Sequence, residues 1–199
     1  MAALVEEIDV HLATLAPEII GHPKRSMFRI HRDTRFSNDK SPYKTNLACW
    51  FFHSDAGHGV GTAQAHGGAG FYFDIETTGS SLGGGIWMPP RPTLNAIRAA
   101  IDESPRPLRR VLAEPSLKRR FGELAPEARL TRMPRGFAVD HPGAELLRHR
   151  SFTVGRKLKE AELFSPALPA LLAKEYARIV PLVRWLNGAL GLRAHGDRH

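Results

Sequence analysis

Gly70-Phe71-Tyr72-Phe73-Asp74-Ile75-Glu76-Thr77-Thr78-Gly79-Ser80-Ser81-Leu82-Gly83-Gly84-Gly85-Ile86-Trp87-Met88 is the stretch that decides the fold. Residues 70–77 are aromatic and β-branched, and 82–88 are apolar and glycine-rich before Pro89-Pro90. Both compositions favour extended backbone. Thr77–Ser81, with Gly79 inside it, supplies a turn that folds the second strand back on the first. Phe71, Tyr72 and Phe73 could form a stacking platform, but side chains alternate along a strand, so one or two of these rings are expected in the core.

Upstream, Leu47-Ala48-Cys49-Trp50-Phe51-Phe52 predicts a buried strand over 47–53, joined to the hairpin by the glycine- and histidine-rich connection Ala56–Gly70. Leu4, Val5, Ile8, Leu12, Leu15 and Ile19 recur at three and four, predicting an amphipathic helix over 2–20 that Gly21-His22-Pro23 stops. Downstream the period becomes helical: Pro92–Glu103, then shorter helices around 105–113 and 115–124, and a turn or two at 143–150. A short strand, Ser151–Val154, and a long helix, Pro166–Gly188, follow; Pro181 predicts a kink or break in that helix. Strands grouped before helices predict an α+β fold, a single domain over 1–199 with a mostly antiparallel sheet packed against several helices. Residues 193–199 are expected to be a disordered tail.

The 199 residues suffice for one well-cored domain, and no apolar run approaches the roughly 20 residues a bilayer-spanning helix needs. The start is acidic and has no apolar signal region, and the lone Cys49 excludes an internal disulfide, so a cytoplasmic location is expected. Cys49 lies in an apolar strand and reads as core rather than nucleophile. The net charge of +8 is concentrated: residues 24–44 hold seven cations against two aspartates, and 106–135 hold nine against three glutamates. The second group shows no common helical face and fits solvated arginines.

The run Phe28-Arg29-Ile30-His31-Arg32-Asp33-Thr34-Arg35-Phe36-Ser37-Asn38-Asp39-Lys40-Ser41-Pro42-Tyr43-Lys44-Thr45-Asn46 carries the strongest functional signal. Arginine forks match phosphate and carboxylate, and lysine adds a mobile charge. The expected site takes its charge from Arg29, Arg32, Arg35, Lys40 and Lys44, with Asp33 orienting an arginine and Ser37, Tyr43 and Asn46 as hydrogen-bonding groups. Gly84 and Gly85 would let bare backbone approach the same cleft. The expected ligand is a phosphate-bearing metabolite or nucleotide, and any chemistry would be hydrolysis or group transfer at the anion. Two other readings stay open: a nucleic-acid-binding module joining both basic regions, and an Arg/Asp network that only ties the fold together. No cofactor or metal is called for.

Other motifs carry less. His31-Arg32-Asp33 with Asn38 imitates a kinase catalytic loop, but the glycine-rich loop, strand lysine and Asp-Phe-Gly of a kinase are missing. Gly83-Gly84-Gly85 is neither a Walker loop nor a dinucleotide fingerprint, and fits a bulge or close helix packing as well as an anion nest. His53, His58 and His66 lack metal-ligand spacing and cysteine support. His141 and His149 lie near Asp140 and Glu145 and could pair with them as acid and base.

The Phe28–Asn46 run resembles the signature of family 2461 among the domains of unknown function. Gly70–Ile75 with Gly83-Gly84-Gly85 and Pro89, Asn95 and Arg98 within Leu94–Ile101, and Gly136–Pro142 with Glu145–Arg148 extend the resemblance over nearly the whole chain. It implies an α+β fold and supplies no activity or catalytic residue. Two departures from the family pattern stand out: no stretch matches the Asn-Asn-x-x-Trp-Phe element of the further N-terminal helix with which members usually start, so that helix is expected to be lacking, and Asn38 replaces a frequent lysine, which would weaken one cationic contact.

Overall fold

The computed structural model describes residues 1–30, 44–56, 68–126 and 129–194. Helix α1 (Ala2–Leu15) leads into strands β1 (Ile19–Ile20) and β2 (Asn46–His53), a single 3-10 turn (Ser54–Ala56), and the hairpin β3 (Gly70–Glu76) and β4 (Ser81–Ile86). Helices α2 (Arg91–Glu103), α3 (Arg106–Ala113), α4 (Pro115–Phe121) and α5 (Ala144–Leu147) follow, then β5 (Phe152–Lys157), α6 (Glu160–Leu163) and α7 (Leu168–Ala189). The strands form one antiparallel sheet in the order β1-β2-β3-β4-β5. The chain is thus an α+β domain with the expected hairpin.

Register makes the two sheet faces different. Cys49 lies opposite Phe73, Phe51 opposite Phe71, and Phe73 opposite Leu82. These side chains, with Ile86, Phe152 and Val154, are buried beneath α7. The Tyr176 ring of α7 stacks on Phe71 at 4.6 Å, and its hydroxyl donates to the Tyr72 carbonyl at 3.1 Å. Burial pushes the Cys49 thiol up to about 12, so it is an inert core residue, as its strand position predicts.

Several elements differ from expectation. Helix α1 stops at Leu15 rather than continuing to residue 20, because the residue before a proline avoids helical backbone: Ala16, preceding Pro17, has φ −153° and ψ 76°. The apolar Ile19 that looked like another helical turn instead pairs with His53 at the sheet edge. Helix α4 ends at Phe121, where Gly122 takes φ 78°. Helix α7 runs unbroken through Pro181, which sits on its exposed side; the carbonyl of Ala177 that loses its partner is also on an exposed residue, where water can satisfy it. Beyond α7, the Arg193 carbonyl lies 3.0 Å from His53 Nε2, which holds the first residue of the expected tail; residues 195–199 lie outside the described set.

Polar locks join the layers. Arg184 of α7 grips Glu18 with two nitrogens at 2.7 and 3.2 Å. Buried Arg98 of α2 donates to the carbonyls of Leu147 and His149. His149 is itself buried, and its Nδ1 has no partner among the described residues. Burial first, and then the charge of Arg129, push its pKa below 6.5. The unfolded chain therefore binds this proton more readily, so full stability is present above about pH 6.5 and falls as pH drops toward the folded value. Urea midpoints at pH 7.5 and 5.5 should differ less in His149→Asn than in the wild type; an unchanged difference would place the acid sensitivity elsewhere.

Candidate functional site

The face of the sheet away from α7 is built by the same alternation. Trp50 pairs with Tyr72, Tyr72 with Gly83, and Gly83 with Gly155, forming one row across β2, β3, β4 and β5. Two large rings thus stand beside two positions with no side chain. Neither glycine can be replaced without displacing a neighbour: a Cβ on Gly83 would stand 2.5 Å from the Val154 carbonyl oxygen, and one on Gly155 would stand 2.9 Å from that of Leu82. The step down from rings to backbone opens a cleft of about 780 Å³.

Phe28 forms one wall, meeting Tyr72 edge-on at 6.1 Å, and Trp87 stands on the cleft's margin, 64% exposed. The backbone that presents Trp87 is unusual. Met88, next to it, has φ 43°, a left-handed conformation costly for a side chain of its size, and its N–H donates to Ser151 Oγ at 2.9 Å. The Trp50 indole packs on Gly70, and its buried Nε1 has no acceptor among the described residues.

One step along the strands lies a polar row in which Asp74 pairs with Ser81, and Ser81 with Lys157. Ser81 Oγ donates to Asp74 Oδ1. Burial raises the pKa of Asp74, opposed by the Ser81 hydrogen bonds and, more weakly, by Lys157. Burial and the nearby Asp74 charge push the Tyr72 hydroxyl up to about 12, so it remains a donor at neutral pH.

The basic run begins and ends beside this cleft. The Lys44 N–H donates to the Ile30 carbonyl at 2.8 Å, drawing the two ends together, and Lys44 Nζ sits 5.7 Å from the centroid of the Phe28 ring. Arg29 is exposed, and Asn46 opens β2 opposite Glu76. Arg32, Asp33, Arg35, Ser37, Lys40 and Tyr43 lie outside the described residues.

The two glycines expected at the site divide. The missing side chain of Gly84 serves α7, since a Cβ there would meet Ile179 at 2.9 Å, although its backbone also lines the cleft. Gly85 pairs with Gly70 and Thr153 on the cleft's face of the sheet. Trp50, Gly155, Ser81 and Lys157 were not expected at the site from sequence, and Gly83 only as part of the Gly83-Gly84-Gly85 motif. Of the three rings weighed as a stacking platform, Phe71 and Phe73 are core, as alternation predicts for one or two of them, and Tyr72 lies between them on the other face, only partly buried.

The histidine readings change too. His141 Nε2 lies 3.1 Å from Asp102 Oδ1 rather than pairing with Asp140 or Glu145, because the turn before α5 brings it against the end of α2; Glu145 is held by Arg109 Nε at 2.9 Å. His58 and His66 lie outside the described residues, among which no group of three or more His, Cys, Asp and Glu side chains could hold a metal. Two arginines of the second basic region are engaged, Arg109 with Glu145 and Arg120 with Glu175.

No helix among the described residues is long and apolar enough to cross a membrane. Neither a curated protein nor a solved structure matches the chain. A family model does match it, over residues 1–185, which is nearly the span of the fold described above. The chain therefore belongs to the family described as conserved hypothetical protein (DUF2461).

Proposed function

We propose that the protein binds a small organic ligand that joins a flat ring to a phosphate-bearing group, the ring lying in the aromatic cleft and the anion meeting the basic run. The observation that carries this reading is the cleft of about 780 Å³ walled by Phe28, Trp50 and Tyr72, with Lys44 held over the Phe28 ring at its side. Its volume falls within the range of about 300–1,000 Å³ typical of small-molecule sites. Stacking on an aromatic side chain is worth roughly 1–3 kcal/mol per base, and charge-assisted hydrogen bonds add to it. Hydrolysis or transfer of the anionic group is the chemistry such a site would carry. The buried free thiol of Cys49 accords with a reducing compartment such as the cytoplasm.

Tryptophan fluorescence tests this directly. Of three tryptophans, Trp50 and Trp87 line the cleft, while Trp185 lies on α7 and can be silenced as Trp185→Phe. Adenosine 5′-monophosphate (AMP) should change the signal saturably, and Tyr72→Ala should weaken it by roughly tenfold or more, as one lost stacking partner implies. Arg32→Ala and Arg35→Ala should weaken AMP more than adenosine. If neither AMP nor phenyl phosphate gives a saturable response at millimolar concentration, the reading fails.

A further inference from the structure

Resting on the cleft as the ligand site, we infer that its polar row reads the hydroxyl groups of a sugar, so that the ligand is a nucleotide-type molecule and not simply an aromatic phosphate. The polar row Asp74–Ser81–Lys157 runs parallel to the aromatic row Trp50–Tyr72–Gly83–Gly155 and two residues from it along the strands; Ser81 and Lys157 line the cleft, and Asp74 lies next to Ser81. At about 3.4 Å per residue, this is roughly 7 Å. A ring stacked on the first row therefore holds its directly attached substituent over the second.

The chemistry of that row selects the substituent. Asp74 is 4% exposed, and Ser81 Oγ already donates to its Oδ1. An ionised carboxylate has about four acceptor positions, and a hydroxyl that donates still offers lone pairs. Lys157, from the far strand of the row, brings only donors. A diol, whose hydroxyls both donate and accept, matches acceptors on one side and an ammonium on the other. A phosphate placed here would instead face the like charge of Asp74, with Glu76 next along the same strand. Its place is nearer Arg29 and Lys44, where the basic run begins and ends. The cleft thus orders the ligand as ring, sugar and phosphate.

Three probes separate the possibilities in the Trp185→Phe protein: AMP, its 2′,3′-dideoxy analogue, and phenyl phosphate. AMP should bind roughly tenfold or more tightly than the dideoxy analogue, the discrimination expected when hydroxyls meet a charged partner. Asp74→Asn should bring the two within about threefold of each other, and Ser81→Ala should narrow the gap in the same direction. Circular dichroism confirms that each variant is folded, and the wild-type comparison stands if one is not. Equal binding of AMP and its dideoxy analogue by the wild type overturns the sugar inference but leaves the cleft as a ring-and-anion site. No saturable binding by any of the three removes the cleft reading, and this inference with it.

Discussion

Replacing Glu175 by alanine is expected to destabilise the protein by about 3–5 kcal/mol, the usual result of stripping one partner from a buried ion pair. The Glu175 side chain, 4% exposed, accepts from Arg120 Nε at 2.8 Å, Arg156 Nη2 at 2.9 Å and Arg178 Nη1 at 3.1 Å. It thereby joins α4 and β5 to α7. Burial alone would raise its pKa, but the hydrogen bonds from Arg120 and Arg156 outweigh that and hold it low. Removing the carboxylate leaves three guanidinium groups without it. Glu162 cannot fully substitute, because it already gives both oxygens to Arg156, at 2.9 Å each, which lowers its own pKa to about 2. Glu175→Gln, which keeps the shape and removes the charge, should cost nearly as much as alanine. Glu162→Ala should cost clearly less, since this carboxylate is more exposed. Denaturant midpoints decide the matter; a loss below about 1 kcal/mol for Glu175→Ala would show the cluster to be decoration rather than a joint.

Gly85→Ala should be comparably damaging, by about 4 kcal/mol or more. Gly85 has φ 124°, a region that side chains rarely adopt, and a Cβ there would stand 2.0 Å from the Phe152 carbonyl oxygen. Both the backbone conformation and the β4–β5 pairing must give way. Because Gly85 pairs with Gly70 and Thr153, beside the aromatic row, ligand binding should be lost with the fold. Gly122→Ala provides the comparison: its φ is also positive, at 78°, but nothing lies within 4 Å of a Cβ. It should lose only the roughly 1–3 kcal/mol that a sparsely populated positive-φ backbone costs a side chain. Equal losses at the two sites would mean that the clash at Gly85 is relieved at no cost.

Much of the architecture was legible in the chain. The aromatic run at 70–77, the turn at Gly79 and the apolar run at 47–53 announce three adjacent strands, and all three pair as a meander. Helix α2 begins and ends within a residue of its expected limits, because Pro92 and the Leu94, Ile97, Ile101 spacing are local signals. The misreadings came where a pairing partner overrode local pattern. Ile19 continues the spacing of α1 yet joins the sheet, and β5 extends to Lys157 because Ser81 and Leu82 offer a ladder to its polar end.

The candidate site was less legible for a related reason. Charge density marked 28–46, since arginine and lysine carry their chemistry in every context, and the cleft beside Phe28 gives that run a neighbour worth having. The cleft itself depends on register. Trp50, Tyr72, Gly83 and Gly155 are spread over more than a hundred residues, and none is distinctive alone.

By itself, then, the sequence determined the fold class, the order of the strands and helices apart from β1 and α6, and the place of the cationic run, because period, turn chemistry and charge are properties of neighbours along the chain. Only the tertiary structure decided that two rings and two glycines share one row, that Asp74, Ser81 and Lys157 share the next, and that Gly84 serves a helix. A one-residue slip in pairing would send every one of those side chains to the opposite face. That register is set by burying Phe51 and Phe71 against Tyr176, with Phe73 in the same core, a contact between β2, β3 and α7 that local sequence does not encode.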